Sequence, residues 1–381
     1  TPTLNIDKSN WKKYRFDEFA QNVSERVEPA QTDLDLYVGL EHIDPDCLHL
    51  SRHGHPSDVE GTKLRFYAGD VIFGRRRAYQ RKTALATQDG ICSAHAMVLR
   101  AKENIVDSRF FPFLFHSKQF IDMAITISVG GLSPTINWKD IAKQEFLLPP
   151  LAEQQRLAEL LLAADEMIEK EKRELEGVER MYEVFCSDYF SKPFCNNLLS
   201  DCISSVVGGG TPNTKQREYY AQTGLPWITT TSLDDIYVDK GERYITQEGI
   251  NKSATNILKR NSLIIGTRVG VGKCSINWVD MCFSQDCTGL LVDKNLVDLE
   301  YLLFHLRSAI CQNYFKSHCR GTTILGITKA DLLNVPINLP KIEEQISIKK
   351  KLFTLNSIQK RICLQIIKSQ EVKQEIINKI F

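Results

Sequence analysis

The sequence lacks several features that mark common protein classes. Its eleven cysteines include no C-x-x-C pair, which favours reduced thiols in a cytosol over a disulfide framework. Lysine and arginine total 48 against 47 aspartate and glutamate, a net charge of +1, so a surface for nucleic acid must be local. No charged-then-apolar leader opens the chain, and its most apolar helical stretch, residues 157–164, is too short for a bilayer. We expect a cytoplasmic protein without a membrane partner.

Motifs of catalysis and metal binding are also missing. The segment GTRVGVGKC resembles a phosphate-binding loop, but Thr267 stands where the first glycine belongs and Cys274 replaces the hydroxyl residue. The chain has neither the [ND]-P-P-[YF] tetrapeptide of amino-methyltransferases nor a G-x-S-x-G elbow. Four residues that could bind a metal lie close together in the sequence, but their spacing matches no standard zinc site: Cys47, His49, His53 and His55. We expect no catalytic residue and no metal, which indicates a binding protein.

What the sequence does contain is a repeat. LPPLAEQ begins at Leu148 and LPKIEEQ at Leu339, an offset of 191 residues. Asp140 and Asp331 keep that offset, as do Ser93 and Ser284, while Gly74 and Gly266 differ from it by one. Two copies of a long period predict a duplicated domain with its linker. We predict domains at 1–148 and 191–338, each followed by a helix, at 149–190 and 339–381. The alternative to two functional copies is a duplication in which one copy has lost its function.

A helical repeat of apolar residues follows each copy. After Pro149-Pro150 a four-three spacing runs over residues 157–185, interrupted only at Glu171, and predicts a helix of about 40 residues, roughly 60 Å long, bounded by Pro193. The second spacing covers residues 348–380, with Gln359, Ser369 and Lys373 in its polar positions.

Charge suggests what these two helices contact. Residues 151–190 carry a net charge of −6 and residues 341–381 a net charge of +5. Opposite charge and amphipathic faces predict an antiparallel coiled coil that holds the two domains apart. The alternatives are that each helix packs on its own domain, or that the apolar seam forms a homodimer.

The globular copies combine short strands with few helices. The fold class is therefore α+β: two mixed α/β domains separated by a long antiparallel two-helix coiled coil, with an internal pseudo-twofold repeat. The predicted strands are Leu36–Ile43, Leu64–Tyr67, Asp70–Phe73 and Ala96–Leu99 in the first copy, and Leu225–Thr231, Ser262–Gly266 and Gly289–Val292 in the second; the predicted helices are Phe110–Met123 and Leu299–Phe315.

Basic residues follow equivalent strands in the two copies. In the first copy the segment FGRRRAYQRK supplies cations that can hold phosphates or read guanine edges: Arg75, Arg76, Arg77, Arg81 and Lys82. In the second, Arg268 and Lys273 lie on a glycine-rich turn. Further candidates lie near GGGTP, in the threonine run and in RGTT: Lys215, Thr230 and Arg320. We interpret these as DNA-binding residues, although a basic run can also be a solvated loop.

Four segments resemble type I restriction-modification specificity subunits: LPPLAEQQRLAELLLAADEMI, LPKIEEQISIKKKL, GGGTP before PWITTTSL, and GTTILGITKADLLNVPINLP. The resemblance covers essentially the whole chain. The first copy departs from it, since it lacks a clear GGGTP and has GGLSPTINWKDI in place of GTTILGITKADL.

The resemblance implies two target-recognition domains for host defence, each reading one half of a split double-stranded DNA site, with the helices as a ruler. Two methyltransferase subunits would dock on the chain and flip an adenine in each half-site, and restriction subunits would translocate and cleave DNA. S-adenosylmethionine, ATP and Mg²⁺ would belong to those partners, with no cofactor on this chain. Arg75, Arg76 and Arg77 would contact the first half-site, and Arg268 and Lys273 the second.

Two other classes stay open on the residues alone. A bivalent scaffold would use the repeated domains to bind peptides, and its binding would be independent of salt. An enzyme of nucleic-acid modification would need a site that no motif reveals, and absence of turnover on DNA with S-adenosylmethionine would disfavour it.

Overall fold

A computed structural model describes residues 6–190 and 197–381, so Pro193 lies outside the described residues. The chain divides into two compact units: Thr1–Lys172 with Leu364–Phe381, and Arg173–Cys363. Among the described residues, none of the helices combines the length and the apolar character needed to cross a membrane.

Unit 1 mixes short strands and helices. Strand β1 pairs antiparallel with β10, β2-β9-β6-β7 form one sheet and β3-β5-β8-β4 another. Its core contains a cluster of aromatic rings, of which Phe16 and Phe120 are fully buried. The elements are β1 Lys12–Arg15, α1 Phe16–Phe19, β2 Ala20–Val23, β3 Arg26–Val27, β4 Tyr37–Val38, β5 Lys63–Phe66, β6 Val71–Phe73, β7 Thr83–Leu85, β8 Gly90–Cys92, β9 Met97–Ala101, α2 Phe111–Leu114, α3 Lys118–Thr126, α4 Trp138–Ile141, β10 Glu145–Leu148 and the first part of α5 Leu151–Phe190.

Unit 2 has a similar arrangement of strands. Strand β11 pairs with β21, β12-β20-β17-β18-β15 form one sheet and β13-β16-β14-β19 another. Its core is more aliphatic, with Leu263, Leu290 and Leu302 fully buried. The elements are β11 Asn197–Leu198, β12 Ile203–Gly208, β13 Tyr220–Ala221, β14 Leu225–Ile228, β15 Tyr237–Val238, β16 Arg243–Ile245, α6 Gln247–Asn251, β17 Leu263–Gly266, β18 Cys274–Asn277, β19 Cys282–Phe283, β20 Cys287–Val292, α7 Leu299–Arg307, α8 Ala309–His318, α9 Lys329–Leu333, β21 Pro336–Ile337 and most of α10 Ile342–Ile380.

The expected mixture of α and β structure is confirmed, but four predicted elements are wrong in extent. The helix predicted over 110–123 is broken at Ser117, and the one predicted over 299–315 is broken at Ser308. Both serines have extended backbone, and each hydroxyl bonds a carbonyl of the preceding turn, a local alternative to the helix ladder. The strand predicted over 36–43 ends at Val38, because a 3-10 turn follows at Leu40–His42. The strand predicted over 225–231 likewise ends at Ile228, because a 3-10 turn follows at Thr230–Ser232.

The long helices begin as the prolines predict, and a buried glutamine fixes each start. Helix α5 spans 40 residues, the predicted length, and α10 spans 39. The Gln154 amide donates to the carbonyls of Pro149 (2.8 Å) and Ile105 (2.9 Å), and its oxygen accepts from the Asp107 amide (2.8 Å).

Gln345 repeats this arrangement in unit 2. Its amide donates to Pro340 (2.8 Å) and Leu296 (3.1 Å), and its oxygen accepts from the Asp298 amide (2.8 Å). Both glutamine side chains are almost fully buried. The glutamine that ends the repeated LPPLAEQ and LPKIEEQ motifs therefore joins each helix to the globular part of its own unit.

Within unit 1, polar side chains connect α5 to the end of α10. Lys373 Nζ lies 2.6 Å from Asp165 Oδ1, and both side chains are buried. The seam interruption at Glu171 is a buried carboxylate that accepts from Gln365 (2.7 Å) and Ser369 (3.2 Å). Residue numbers rise from 165 to 171 along α5, whereas those of the contacting residues fall from 373 to 365 along α10. The two segments are therefore antiparallel.

Within unit 2, the remaining parts of α5 and α10 also meet. Gln359 donates to Glu179 at 3.1 Å, and the Lys351 ammonium lies over the rings of Phe185 and Tyr189. These contacts also run in opposite order along the two segments.

Candidate nucleic-acid interface

Three chain segments meet around the arginines of unit 1. Residues 75–77 leave β6, and their guanidinium groups reach the two neighbouring segments. Arg75 donates to the Ala94 carbonyl at 3.2 Å and Arg76 to His95 Nε2 at 3.2 Å. The third segment is the hairpin 129–135, where Arg77 donates from its backbone to Pro134 (2.8 Å) and from its side chain to Ser133 (3.1 Å). The arginine loop is thus held in a defined conformation.

These three arginines form a basic surface without neutralising carboxylates. No described residue forms a salt bridge with Arg75, Arg76 or Arg77. The pKa of His95 is lowered, first by partial burial and then by repulsion from Arg76 and Arg75. Positive charge that stays unpaired in the protein is available for phosphate groups.

A groove that extends from Arg75 adds cations that the sequence analysis missed. Arg75 Nε is buried and has no hydrogen-bond partner among the described residues. The polar side chains along this groove are Asn22, Ser24, Arg26, Thr62, Lys63 and Arg75. Arg26 and Lys63 lie on β3 and β5, outside the basic segments that the sequence analysis singled out, so only the folding of the sheet reveals them.

Arg81 and Lys82 are engaged within the protein. Arg81 Nε lies 2.6 Å from Asp46 Oδ1, and its Nη2 donates to the His116 carbonyl at 3.0 Å. Lys82 Nζ donates to the Leu40 carbonyl. Their contacts stabilise the turn, and the arginines at 75–77 are the more available cations of FGRRRAYQRK.

Unit 2 assembles the same three kinds of segment. The backbone amides of Thr267 and Arg268 donate to the Asp286 carbonyl at 2.8 and 3.1 Å. Arg268 also forms a β-bridge with Gly326, in the hairpin 320–326. A groove here is lined by Arg268, Val269, Gln285, Asp286, Arg320, Ile324, Gly326, Ile327 and Thr328. The Ser284 segment and this hairpin occupy the places of the Ser93 segment and hairpin 129–135.

The other predicted contacts of unit 2 differ in availability. Lys273 pairs with Asp234 at 2.7 Å and Arg320 with Asp331 at 3.2 Å; the Lys273 side chain is 45% exposed and that of Arg320 72%. Lys215 is exposed. Thr230 is buried beside the 266–270 turn, so it supports that turn.

The hydroxyl groups next to Thr230 in the sequence donate hydrogen bonds within the protein. Thr229, Thr231 and Ser232 all donate to one carboxylate oxygen of Glu242, at 2.6 to 2.8 Å. Partial burial tends to raise the pKa of Glu242, but these hydrogen bonds outweigh it and lower the pKa.

Left-handed backbone marks both basic loops. Arg77 and Arg81 have φ of 56° and 54°, and Val269, beside Arg268, has φ of 42°. A β-branched residue in this region is strained by about 1–3 kcal/mol. Such strain is common where a loop presents side chains to a ligand.

The GGGTP segment has a packing role. A Cβ on Gly209 would lie 2.0 Å from the Ser284 carbonyl oxygen, and one on Gly210 would lie 2.4 Å from the Ala254 carbonyl carbon. The Gly210 carbonyl accepts from the Trp227 indole at 3.0 Å. Glycine is needed here for close backbone contact.

The residues considered for zinc have other partners. His49 donates to Asp165 at 2.6 Å, and this hydrogen bond is the main cause of its raised pKa. Asp165 also binds Lys373; the two partners together outweigh the effect of burial and lower its pKa to about 2. Among the described residues, no group of three or more histidine, cysteine or acidic side chains is placed to hold a metal.

Comparison with known families gives a match over most of the chain. Residues 57–180 and 199–369 match the family described as the type I restriction modification DNA specificity domain. The two matched segments contain the two basic grooves, apart from the strand residues before 57.

Individual relatives carry the same description. The chain is 27% identical over 181 residues to the MjaIX specificity subunit of Methanocaldococcus jannaschii, covering 47% of this chain and 40% of that protein. It is 30% identical over 168 residues to the EcoDI specificity subunit of Escherichia coli, covering 43% and 37%. The matched region is thus about two fifths of each of these relatives.

A solved structure extends the similarity to the whole fold. A chain from a study of complex assembly and conformational transition in a type I R-M system aligns with a TM-score of 0.63 at 20% identity, covering 98% of this chain and 97% of the other.

Proposed function

Because the chain belongs to the family of type I restriction-modification DNA specificity domains, we propose that it reads a bipartite DNA target for a modification and restriction complex. The observation that carries this proposal is that each unit holds a basic loop against the same two segments, one repeat apart: residues 75–77 with the Ser93 segment and hairpin 129–135, and residues 267–268 with the Ser284 segment and hairpin 320–326. Two similarly placed loops with different side chains suit two different half-sites.

In unit 1, Arg75, Arg76 and Arg77 are the proposed contacts to the first half-site, and Arg26 and Lys63, which line a groove together with Arg75, are further phosphate ligands. In the second groove, Arg268 is the principal proposed contact. Arg320 and Lys273 would each exchange an aspartate for phosphate, since their ion pairs are exposed and therefore weak. Lys215 would add phosphate contact from its exposed loop. Arg81, Lys82 and Thr230 would act by supporting the loops that carry the contacts.

The helices α5 and α10 are the proposed spacer of the target and the docking site for partners. The antiparallel contacts found within each unit are consistent with one coiled coil that follows the predicted boundaries, 149–190 and 339–381, between recognition domains 1–148 and 191–338. We assign the pseudo-twofold relation of the copies to this arrangement, because it would present one groove to each half-site.

The chemistry of the complex would belong to other subunits. Two adenine methyltransferase subunits would bind S-adenosylmethionine, and restriction subunits would use ATP and Mg²⁺. The chain itself would be non-catalytic and would act in the cytoplasm, where the DNA and these partners are present.

Co-expression with a cognate methyltransferase subunit, followed by mapping of methylated adenines at single-base resolution, tests this proposal. A bipartite motif with a fixed spacer is expected. If a complex forms but no motif is methylated, a protein scaffold would replace DNA recognition as the function.

A further inference from the structure

The hairpins beside the two basic loops end in exposed apolar side chains. In unit 1, Leu132 is 95% exposed and Val129 is 67% exposed. In unit 2, Ile324 and Leu325 are 59% and 56% exposed, and Val269 of the facing loop is 55% exposed. Water therefore contacts large apolar groups at the same place in both copies.

The two hairpins have the same backbone design. Val129 and Thr135 exchange two hydrogen bonds, of 3.0 and 2.9 Å, and Arg320 and Gly326 exchange two of 2.8 and 2.9 Å. Each hairpin turns at a glycine with positive φ, 119° at Gly130 and 122° at Gly321, and these glycines are one repeat apart. The apolar tips are thus carried on closed, defined turns.

Each tip is joined to the loop that carries the arginines. Arg77 Nη2 donates to Ser133, the residue after Leu132, and Arg268 bridges Gly326, the residue after Leu325. A partner that contacts a tip therefore also meets guanidinium groups. Apolar side chains between cations fit duplex DNA, whose grooves offer thymine methyl groups and base surfaces between two lines of phosphates.

We propose that Leu132 in the first hairpin, and Ile324 with Leu325 in the second, enter the DNA and contact apolar base surface in their own half-sites. This inference rests on the proposed function and extends it. The arginines hold phosphates and position the hairpin, while the tips contribute discrimination between bases. An adjoining protein subunit is the less favoured partner, because the arginines next to the first tip lack acidic partners among the described residues.

The test uses the full chain assembled with its methyltransferase subunits, and DNA duplexes that carry the mapped motif. The variants are Leu132→Ser, the conservative control Leu132→Met, and the charge control Arg76→Ala. Affinity is measured by fluorescence anisotropy over a series of salt concentrations. Circular dichroism melting checks that each variant folds, which is expected because the tip is exposed.

Leu132→Ser is expected to weaken binding by about tenfold without changing the salt slope, because an apolar contact releases no counterion. Arg76→Ala should reduce the slope by about 0.9 for a lost phosphate contact, and Leu132→Met should bind almost as the wild type. The double variant Ile324→Ser/Leu325→Ser should weaken binding only while the second half-site is intact.

Three results would overturn the inference, and they are distinguishable. If the wild-type complex binds no bipartite target, the proposed function fails and the tip assignment fails with it. If the wild type binds and Leu132→Ser binds equally well, only the tip assignment fails. If Leu132→Ser loses the methyltransferase subunit in the absence of DNA, the hairpin is a protein contact.

Discussion

Replacing Gln154 by leucine should separate helix α5 from the globular part of unit 1. The leucine keeps most of the volume but removes two donors and one acceptor. Three buried or partly buried backbone groups then lose their partner: the carbonyls of Pro149 and Ile105 and the amide of Asp107. Gln345→Leu should act in the same way on Pro340, Leu296 and Asp298.

Each buried polar group left unsatisfied costs about 1–3 kcal/mol. With three such groups, and a site in which Gln154 is 1% exposed, the free energy of unfolding of unit 1 should fall by about 3 kcal/mol or more. For a urea dependence of about 2 kcal/mol/M, the midpoint would fall by roughly 1.5 M.

Urea unfolding and amide hydrogen exchange measure this effect. Exchange at the Asp107 amide should accelerate in Gln154→Leu, and exchange at the Asp298 amide in Gln345→Leu. The matched control is Gln155→Leu, an exposed neighbour on the same helix, which should leave the midpoint nearly unchanged. A loss below about 1 kcal/mol in Gln154→Leu, or equal losses in the control, would refute the reasoning.

Further predictions concern buried charge and strained backbone. Burial lowers the pKa of both His116 and His305 to about 4. Both histidines are neutral in the folded protein, so the free energy of unfolding should fall by up to about 3 kcal/mol for each of them as the pH falls from 6.5 towards 4. In His305→Gln, unfolding measured over this pH range should lose the share of the dependence that belongs to His305, and an unchanged dependence would contradict this. Lys373→Met leaves buried Asp165 with His49 alone and should destabilise unit 1 by roughly 3–5 kcal/mol, while Asp165→Leu/Lys373→Met should recover most of this; equal losses in single and double variants in urea would contradict it. Val269→Gly relieves a left-handed valine and should raise stability by about 1 kcal/mol; a lower melting temperature would count against strain there.

The sequence alone revealed features with a long, regular signal. The 191-residue repeat, the length of α5 and the polar positions Gln359, Ser369 and Lys373 could be predicted because periodicity records which face of a helix is buried. The breaks at Ser117 and Ser308 could not, because a single side-chain hydrogen bond to the preceding turn decides them.

The candidate grooves were predictable only in part. The arginine run at 75–77 stands out in the sequence, and so does Arg268 at the matching position. Arg26 and Lys63 lie outside that run, and only strand pairing brings them near Arg75. Arg81 and Arg76 belong to the same basic run in the sequence, although Arg81 pairs with Asp46 and Arg76 has no carboxylate partner among the described residues.

The central claim is that each basic groove reads its own half of a bipartite DNA target. Exchange of residues 1–148 for the corresponding domain of a relative, followed by single-base mapping of methylated adenines in cells that also express the methyltransferase subunit, tests it most directly. The account predicts a motif in which one half changes and the other half and the spacer are kept. A motif that changes in both halves, or in neither, would contradict it.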